Sequence, residues 1–487
     1  MDVISYRGPG AAGGVASGLE SNMSKHGQQS LWWYLKDGAL SVLKPGSKEP
    51  EFVTQLTDNV IEAHYRFCNE FLWPIMHDLP QFASFNGDDY ELYKKFNRTI
   101  AEYIGFESTL QHRNFVQDYQ FALLPELLRQ QSVRSVIFWH IPWPKNVRED
   151  HAGIIAEIAR GLLGAEIFGF HTQEYADNFR DFVLANLPDF YVDQSSTLRR
   201  KPSQSGSASE GQPSAILSPY MTRPLFKKNR LRANATRLIV HPLGIDVDLW
   251  KGMADRAPKL EGTLERFNEQ PYILSVERAD YTKGVLERMQ HVERFFETNE
   301  DLREKITFLQ LCGRTRPGLA AFDQYWNDCM QVLNRVNSRF GNEFWRPIEW
   351  HTEHTSPAQL AYIYRNADVM LVNPIRDGLN LTAKEFVACQ PNDAGVLVLS
   401  PGAGAWHELG KAAVKTDPND SELMVDSVSQ AVHMSLPERR TRISLLMSRI
   451  EANPLQSWWE RFAQVQHPAV AAGAKTAQMG ERNRKIA

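Results

Sequence analysis

Short, unbroken apolar runs alternate along this chain with segments of helical period, and that alternation limits the folds open to it. Strand-like runs lie at residues 135–139, 166–170, 237–241, 272–276, 306–311, 369–373 and 395–400. Helical patterns fill 123–130, 154–163, 285–298, 318–340, 357–366 and 381–388. A strand with no polar alternation is covered on both faces, which is how parallel sheets are buried. Strands alternating with helices predict α/β units. The runs fall into two sets with a boundary near 240–250, so two α/β domains in series are expected. Ligands in such folds bind at the carboxyl ends of the strands, and two facing sheets place a cleft between them.

Composition removes several other classes. The chain has 487 residues, room for two large domains. Hydrophobic residues make up 43% and charged residues 23%, which excludes wholesale disorder. The net charge of −4 offers no basic field for nucleic acid. Cys68, Cys312, Cys329 and Cys389 are far apart and match no zinc or redox spacing, so a reducing cytoplasm is the expected home. No apolar run reaches the roughly 18 residues of a membrane span, and the first residues do not read as a signal peptide. Residues 194–214 are rich in Ser, Gly, Gln and Pro and read as a mobile surface insertion.

Four segments carry candidate chemistry. Val3 and Ile4 run into a glycine-rich loop that includes Arg7, Gly13 and Gly14; such a loop admits a phosphate close to the backbone, and also serves as a plain turn. Arg7 suits a phosphate or a surface ion pair. His140 follows an apolar run and is flanked by Pro142 and Pro144, at a carboxyl strand end; Asp118 stands in a similar position. Arg278 and Lys283 lie five residues apart in a loop after a strand, where two cations can hold a diphosphate and stabilise a departing one. The string from Arg376 to Glu385 (RDGLNLTAKE) follows the run 369–373 and opens a helix. Asp377 is expected at the helix entrance, with Gly378 supplying an unusual backbone angle. Free amides at Leu379, Asn380 and Leu381 would receive a diphosphate, and Glu385 would meet ribose hydroxyls.

Together these strings resemble the trehalose-phosphate synthase family of retaining glycosyltransferases. Trp73-Pro74, Asp118-Tyr119, His140-Ile141-Pro142, Gly169 to Thr172, Arg278 with Lys283, RDGLNLTAKE and the segment 400–409 carry the resemblance, which spans residues 3 to 465. It implies a GT-B fold of two Rossmann-like domains: residues 1–240 for the acceptor, 241–455 for the nucleotide sugar, and a helical segment in 456–487 crossing back to the first. It implies transfer of glucose from a nucleotide sugar to a small phosphorylated acceptor, with no metal, no cofactor and no protein nucleophile. Arg278 and Lys283 would hold the donor diphosphate, with Gly14 packed close by. His140 and Asp377 would contact the transferred sugar. Amides near Asn380 and Leu381 would assist the leaving group, and Glu385 would bind ribose. Arg7, Trp73, Asp118 and Arg316 would serve the acceptor, although the pattern alone leaves Arg314 and Arg316 as rivals.

The sequence departs from the family around the acceptor. The family's His-Asp-Tyr-His is Gln117-Asp118-Tyr119-Gln120 here, and Asp78 follows His77 where the family has tyrosine. Trp406 and His407 stand where smaller or amide residues are usual. The stretch from Trp73 through Asp89, Tyr90, Asn97 and Arg98 is more similar to a sister group, the glucosylglycerol-phosphate synthases. That resemblance implies ADP-glucose and glycerol 3-phosphate as substrates, in compatible-solute synthesis. The alternative is a trehalose-phosphate synthase using UDP-glucose and glucose 6-phosphate. A separate phosphatase is expected downstream, no membrane or nucleic-acid partner is expected, and self-association is left open.

Overall fold

The structure, a computed structural model, describes residues 1–11, 14–26, 30–107, 113–201, 235–390 and 395–463. Within them the strands form two sheets. The first contains β1 (Asp2–Ile4), β2 (Trp32–Lys36), β3 (Ala39–Leu43), β4 (Glu51–Gln55), β5 (Arg113–Gln117), β6 (Arg134–Trp139), β7 (Ile167–Phe170), β8 (Phe190–Val192), β9 (Thr197–Arg200) and β10 (Ala235–Val240). Its order is β4-β3-β2-β1-β5-β6-β7-β10-β9-β8. The six strands from β2 through β1, β5, β6 and β7 to β10 are parallel, and antiparallel hairpins extend both edges.

The second sheet contains β11 (Tyr272–Ala279), β12 (Thr307–Arg314), β13 (Ile348–His351), β14 (Val369–Val372), β15 (Val396–Leu399) and β16 (Val414–Lys415). It is parallel throughout, in the order β13-β12-β11-β14-β15-β16. This is the doubly wound Rossmann order, and the winding reverses between β11 and β14. The first sheet reverses in the same way between β1 and β5. A crevice opens outside the carboxyl ends of strands at such a reversal. All four residues of β14 and of β15 are buried, which accounts for their unbroken apolar sequence.

Two expectations are corrected. The insertion does not begin at 194: Thr197–Arg200 is a strand paired with both β8 and β10. Asp193 accepts from the amides of Ser195 and Thr197, and this local turn closes the hairpin despite the polar composition. The remainder, 202–214, lies outside the described residues. The other correction concerns strand length. β11 runs on through Arg278 to Ala279, in register with Gly313 and Arg314 of β12, so Arg278 stands on a strand end rather than in a loop.

After the second sheet the chain forms the helix Leu455–Ala463 and lies against the first sheet. Phe462 stacks on Phe115 of β5 at 5.4 Å, and Trp458 meets Phe138 of β6 at 5.2 Å. A Cβ at Gly169 of β7 would stand 2.6 Å from the Phe462 ring, so this strand position has to be glycine for the helix to seat. Trp458 and Phe462 are fully buried. No described helix is long and apolar enough to cross a membrane.

Candidate active site

The carboxyl edges of the two sheets face one another. After β14 the chain reaches Asp377, Gly378 and Leu379, which pair with the small-residue segment 402–405. The Asp377 amide donates to the Gly402 carbonyl at 2.8 Å, the Gly404 amide to Asp377 at 3.0 Å, and the Ala405 amide to Leu379 at 2.7 Å. Glycine is required in this ladder. A Cβ on Gly404 would stand 2.0 Å from the Gly378 carbonyl, and one on Gly378 would stand 1.9 Å from the carbonyl of His140 in the opposite domain. Gly378 is therefore present for close approach. The residue in the left-handed region is Asn380, at φ 77°, and Asn380 rather than Asp377 caps the helix Leu381–Cys389. Its side-chain oxygen accepts from the Ala383 amide at 3.2 Å and from the Thr382 hydroxyl at 2.8 Å. The helix begins beside the crevice, and the field at its N-terminus favours an anion.

Lys283 follows β11 in a short turn. Gly284 ends that turn at φ 66°, where a Cβ would press within 2.4 Å of the Asn373 carbonyl. The Lys283 ammonium lies 2.7 Å from Asp377, and both side chains are largely buried. Burial works against the charge on Asp377, but Lys283, together with His77 and Asn380, holds its carboxyl below the ordinary range. Arg278 is solvent-exposed on the same wall. The surrounding protein mass and then the neighbouring Arg316 lower its pKa, with a further contribution from Arg7. Arg7 is itself exposed at the end of the loop after β1.

Gly14 opens the helix Gly14–His26, and a Cβ there would collide with the Leu381 side chain at 2.2 Å. The glycine lets the first domain close onto the entrance of the helix that starts at Leu381. Gly13 lies outside the described residues. His140 follows β6 and is buried, with Nε2 2.9 Å from Gln117 Oε1. Its amide donates to Asp118 Oδ1 at 3.0 Å. Burial lowers the His140 pKa to about 3, so the imidazole is neutral. Burial raises Asp118 to about 7, against its hydrogen bonds from the His140 and Tyr119 amides. Gln117, read from sequence as part of an acceptor-determining motif, turns inward against His140 instead.

Arg316 and Arg314 separate clearly. Arg314 points away from the cleft to an exposed ion pair with Asp323 at 2.7 Å. Arg316 is buried at the domain interface, its guanidinium 4.1 Å above the Trp73 ring. It donates to Asn69 at 2.6 Å and to Asp280 at 2.6 Å. Glu385, on the helix Leu381–Cys389, accepts from the Tyr364 hydroxyl at 3.1 Å, and burial raises its pKa to about 7.

The structure adds residues that the sequence reading did not single out. Asp280 is fully buried between Arg278 and Lys283. Burial opposes its charge, but Arg316, Lys283 and Arg278 outweigh that and hold the pKa at about 2. His77 is buried beside the Lys283–Asp377 pair; burial and then Lys283 depress its pKa to about 3. Arg288, fully buried, joins strand ends below the site through Gln310 at 2.9 Å and through Glu277 and Asn373. Glu174 of the first domain clasps Arg376 at 2.7 Å and lies 3.7 Å from His407, which gives that unusual histidine a place at the cleft rim. Asp280 lies between Arg278 and Lys283 in the chain, but its partners, like those of the other residues, come from distant segments and are brought together only by packing.

Comparison with known proteins agrees with this geometry. Glycosyltransferase family 20 matches residues 44–467. Glucosylglycerol-phosphate synthase of Pseudomonas anguilliseptica is 31% identical over 405 residues, covering 82% of this chain and 52% of that protein. Trehalose-6-phosphate synthase of Sinorhizobium fredii is 30% identical over 466 residues, covering 93% of each. The chain spans about half the length of several curated relatives it matches, 52% for the first of these. Among solved structures, one from Escherichia coli bound with UDP-2-fluoro glucose superposes with a TM-score of 0.80 at 26% identity, over 95% of this chain and 97% of that one. A UDP-forming trehalose-phosphate synthase from Burkholderia xenovorans in complex with glucose 6-phosphate gives a TM-score of 0.81 at 25% identity, over 95% and 98%. The two-sheet architecture is the GT-B fold of these neighbours.

Proposed function

The chain belongs to glycosyltransferase family 20, and from that premise we propose that it transfers glucose, with retention, from a nucleotide sugar to a small phosphorylated acceptor. The observation that carries this reading is a convergence at one cleft. Arg278, Lys283 and the entrance of the helix Leu381–Cys389 come from the second domain, and Gly14 and His140 meet them from the first.

Breaking the bond between glucose and the diphosphate leaves negative charge on the leaving oxygen. Preorganised cations and amides aimed at that charge are the largest single source of acceleration in such sites. Arg278, Lys283 and the first-turn amides after Asn380 supply them. Lys283 has three N–H donors, so its bond to Asp377 leaves it able to serve a phosphate as well. On this reading Asp377 and the neutral His140 orient the sugar, and Glu385 holds the ribose. Arg316 and Arg7, each close enough to Arg278 to act on its charge, form the cationic side that suits an acceptor phosphate. Attack occurs on the face from which the diphosphate departs. The departing phosphate accepts the acceptor's proton, so no carboxylate acts as nucleophile.

For substrates we favour ADP-glucose and glycerol 3-phosphate, giving glucosylglycerol phosphate for compatible-solute synthesis, with a separate phosphatase to remove the phosphate. The likeness to glucosylglycerol-phosphate synthase supports this, as does Gln120 in place of the family's second histidine. The second reading is trehalose-phosphate synthesis from UDP-glucose and glucose 6-phosphate, favoured by the relative matched over 93% of both chains. Nucleoside diphosphate release, measured with both donors against both acceptors, separates them. Release with glycerol 3-phosphate alone supports the first, and release with glucose 6-phosphate alone the second. No release in any combination overturns both.

A further inference from the structure

Asp280 collects more donors from more places than any other carboxylate described in the cleft. Its Oδ1 accepts from the indole Nε1 of Trp73 at 3.3 Å, from the Thr282 amide at 3.0 Å and from the Thr282 hydroxyl at 3.0 Å. Its Oδ2 accepts from Arg316 Nη1 at 2.6 Å. The carboxylate is fully buried. Trp73 belongs to the first domain and is 6% exposed; Arg316 is 9% exposed and also donates to Asn69 of that domain at 2.6 Å. Thr282 lies in the turn Tyr281–Lys283 that presents Lys283 to the donor side, and Asp280 is the residue capping that turn. The ring of Tyr281, next in sequence, stacks on Phe82 of the first domain at 4.2 Å.

One buried charge thus fixes two things at once: the acceptor wall made by Trp73 and Arg316, and the donor turn that carries Lys283. We infer that Asp280 is a positioning residue that couples the acceptor and donor sites, so that occupation of one strengthens binding at the other. This rests on the reading of the cleft as a nucleotide-sugar transferase. The physical basis is the geometry of the shared acceptor. A shift of the turn when Lys283 engages a diphosphate moves the oxygen to which Arg316 is bonded. Both groups are buried, and losing that bond would leave a buried charge short of a partner. Coupling free energies of this kind commonly amount to a fivefold change in affinity or more, and they are reciprocal.

The test is calorimetric titration of the full chain with glycerol 3-phosphate and glucose 6-phosphate, without and with saturating ADP or UDP. The wild type is expected to bind its acceptor at least about fivefold more tightly with nucleotide present. Asp280→Asn, which keeps the shape but removes the charge facing Arg316, is expected to bind acceptor equally with and without nucleotide. Loss of folding alone would not produce binding that has become uncoupled. Asp280→Glu, which keeps the charge and displaces it by one methylene, is the second variant, and reduced coupling is expected there too. An uncoupled wild type, or full coupling in a folded variant, overturns the inference. Wild-type protein that binds neither nucleotide nor acceptor overturns the underlying reading instead.

Discussion

Lys283 Nζ lies 2.7 Å from Asp377 Oδ2, and the two residues leave β11 and β14, the neighbouring strands at which the winding of the second sheet reverses. Their pairing spans the point where the fold opens a crevice. It also places a cation at the entrance to the helix Leu381–Cys389, whose own N-terminal field is positive. Asp377 balances that concentration of positive charge until an anion shares it.

Removing either donor-side cation should be severe. Lys283→Ala and Arg278→Ala are each expected to lower kcat by about a hundredfold or more, the usual cost of deleting one preorganised donor. Steady-state kinetics on variants with unchanged thermal unfolding check this. Near-normal turnover in either variant would refute the diphosphate assignment.

The two arginines after β12 should behave differently. Arg314→Ala breaks an exposed pair with Asp323 and should leave kinetics nearly unchanged, since such pairs contribute about 0–1 kcal/mol. Arg316→Ala removes the buried guanidinium over Trp73 and should raise the acceptor KM by roughly tenfold or more, as expected for a charged hydrogen bond of about 1.5–3 kcal/mol. The reverse ranking would move the acceptor phosphate elsewhere.

Donor binding should depend on pH if, as proposed, the ribose is held by Glu385. Its pKa is raised from the ordinary 4.5 to about 7, chiefly by burial, so it holds a proton until near neutrality. The ionised carboxylate accepts from ribose hydroxyls more strongly than the protonated acid, so the donor KM should fall as the pH rises through 7. Asp118 titrates in the same range, and Glu385→Gln separates the two by abolishing only the donor effect. Because the folded state keeps these protons after the unfolded chain has released them, both groups make stability decline from about pH 4 towards 7. Asp118→Asn should flatten that decline in urea unfolding curves measured across the interval.

Gln117 should act through His140. Gln117→Leu leaves the His140 ring nitrogen without its partner at 2.9 Å, so kcat is expected to fall at least tenfold with the acceptor KM little changed. A rise in acceptor KM at constant kcat would restore Gln117 as an acceptor determinant.

A methyl group at Gly378 has no room beside the His140 carbonyl, 1.9 Å away. Gly378→Ala should destabilise by about 1–3 kcal/mol, as overpacking does, and should reduce turnover because it forces the two walls apart. Denaturant unfolding and the activity assay read the two effects separately.

Periodicity placed the buried parallel strands β1, β6, β7, β10, β11, β12, β14 and β15 and six of the helices, but not the hairpin and edge strands or helices such as Gly87–Glu107 and Gln173–Asn186. The helix Val285–Thr298 and the helix Pro357–Asn366 begin and end where their patterns do, because a positive-φ Gly284 and the Ser356 capping box mark their starts. The hairpin strand Thr197–Arg200 was hidden because an edge strand has few apolar residues to display. In the candidate site, local strings pointed to Arg278, Lys283 and the segment after β14, since each is contiguous with its strand. The string did not show which residue caps the helix: Gly378 invited a conformational reading, but its role is set by His140, more than two hundred residues earlier in sequence. Asp280, Asn69 and Arg288 were illegible for the same reason, because their partners come from other segments and only the fold brings them together.

The helix Leu455–Ala463 carries a consequence for how the protein is made. Phe115, Phe138 and Gly169 belong to strands of the first sheet, yet the aromatic side chains that cover them, Trp458 and Phe462, follow the second sheet in the chain and emerge only after it has been made. The nascent first domain must wait with an apolar face uncovered while the whole second domain is translated. Apolar surface left uncovered in that way is what makes partly folded chains prone to aggregate.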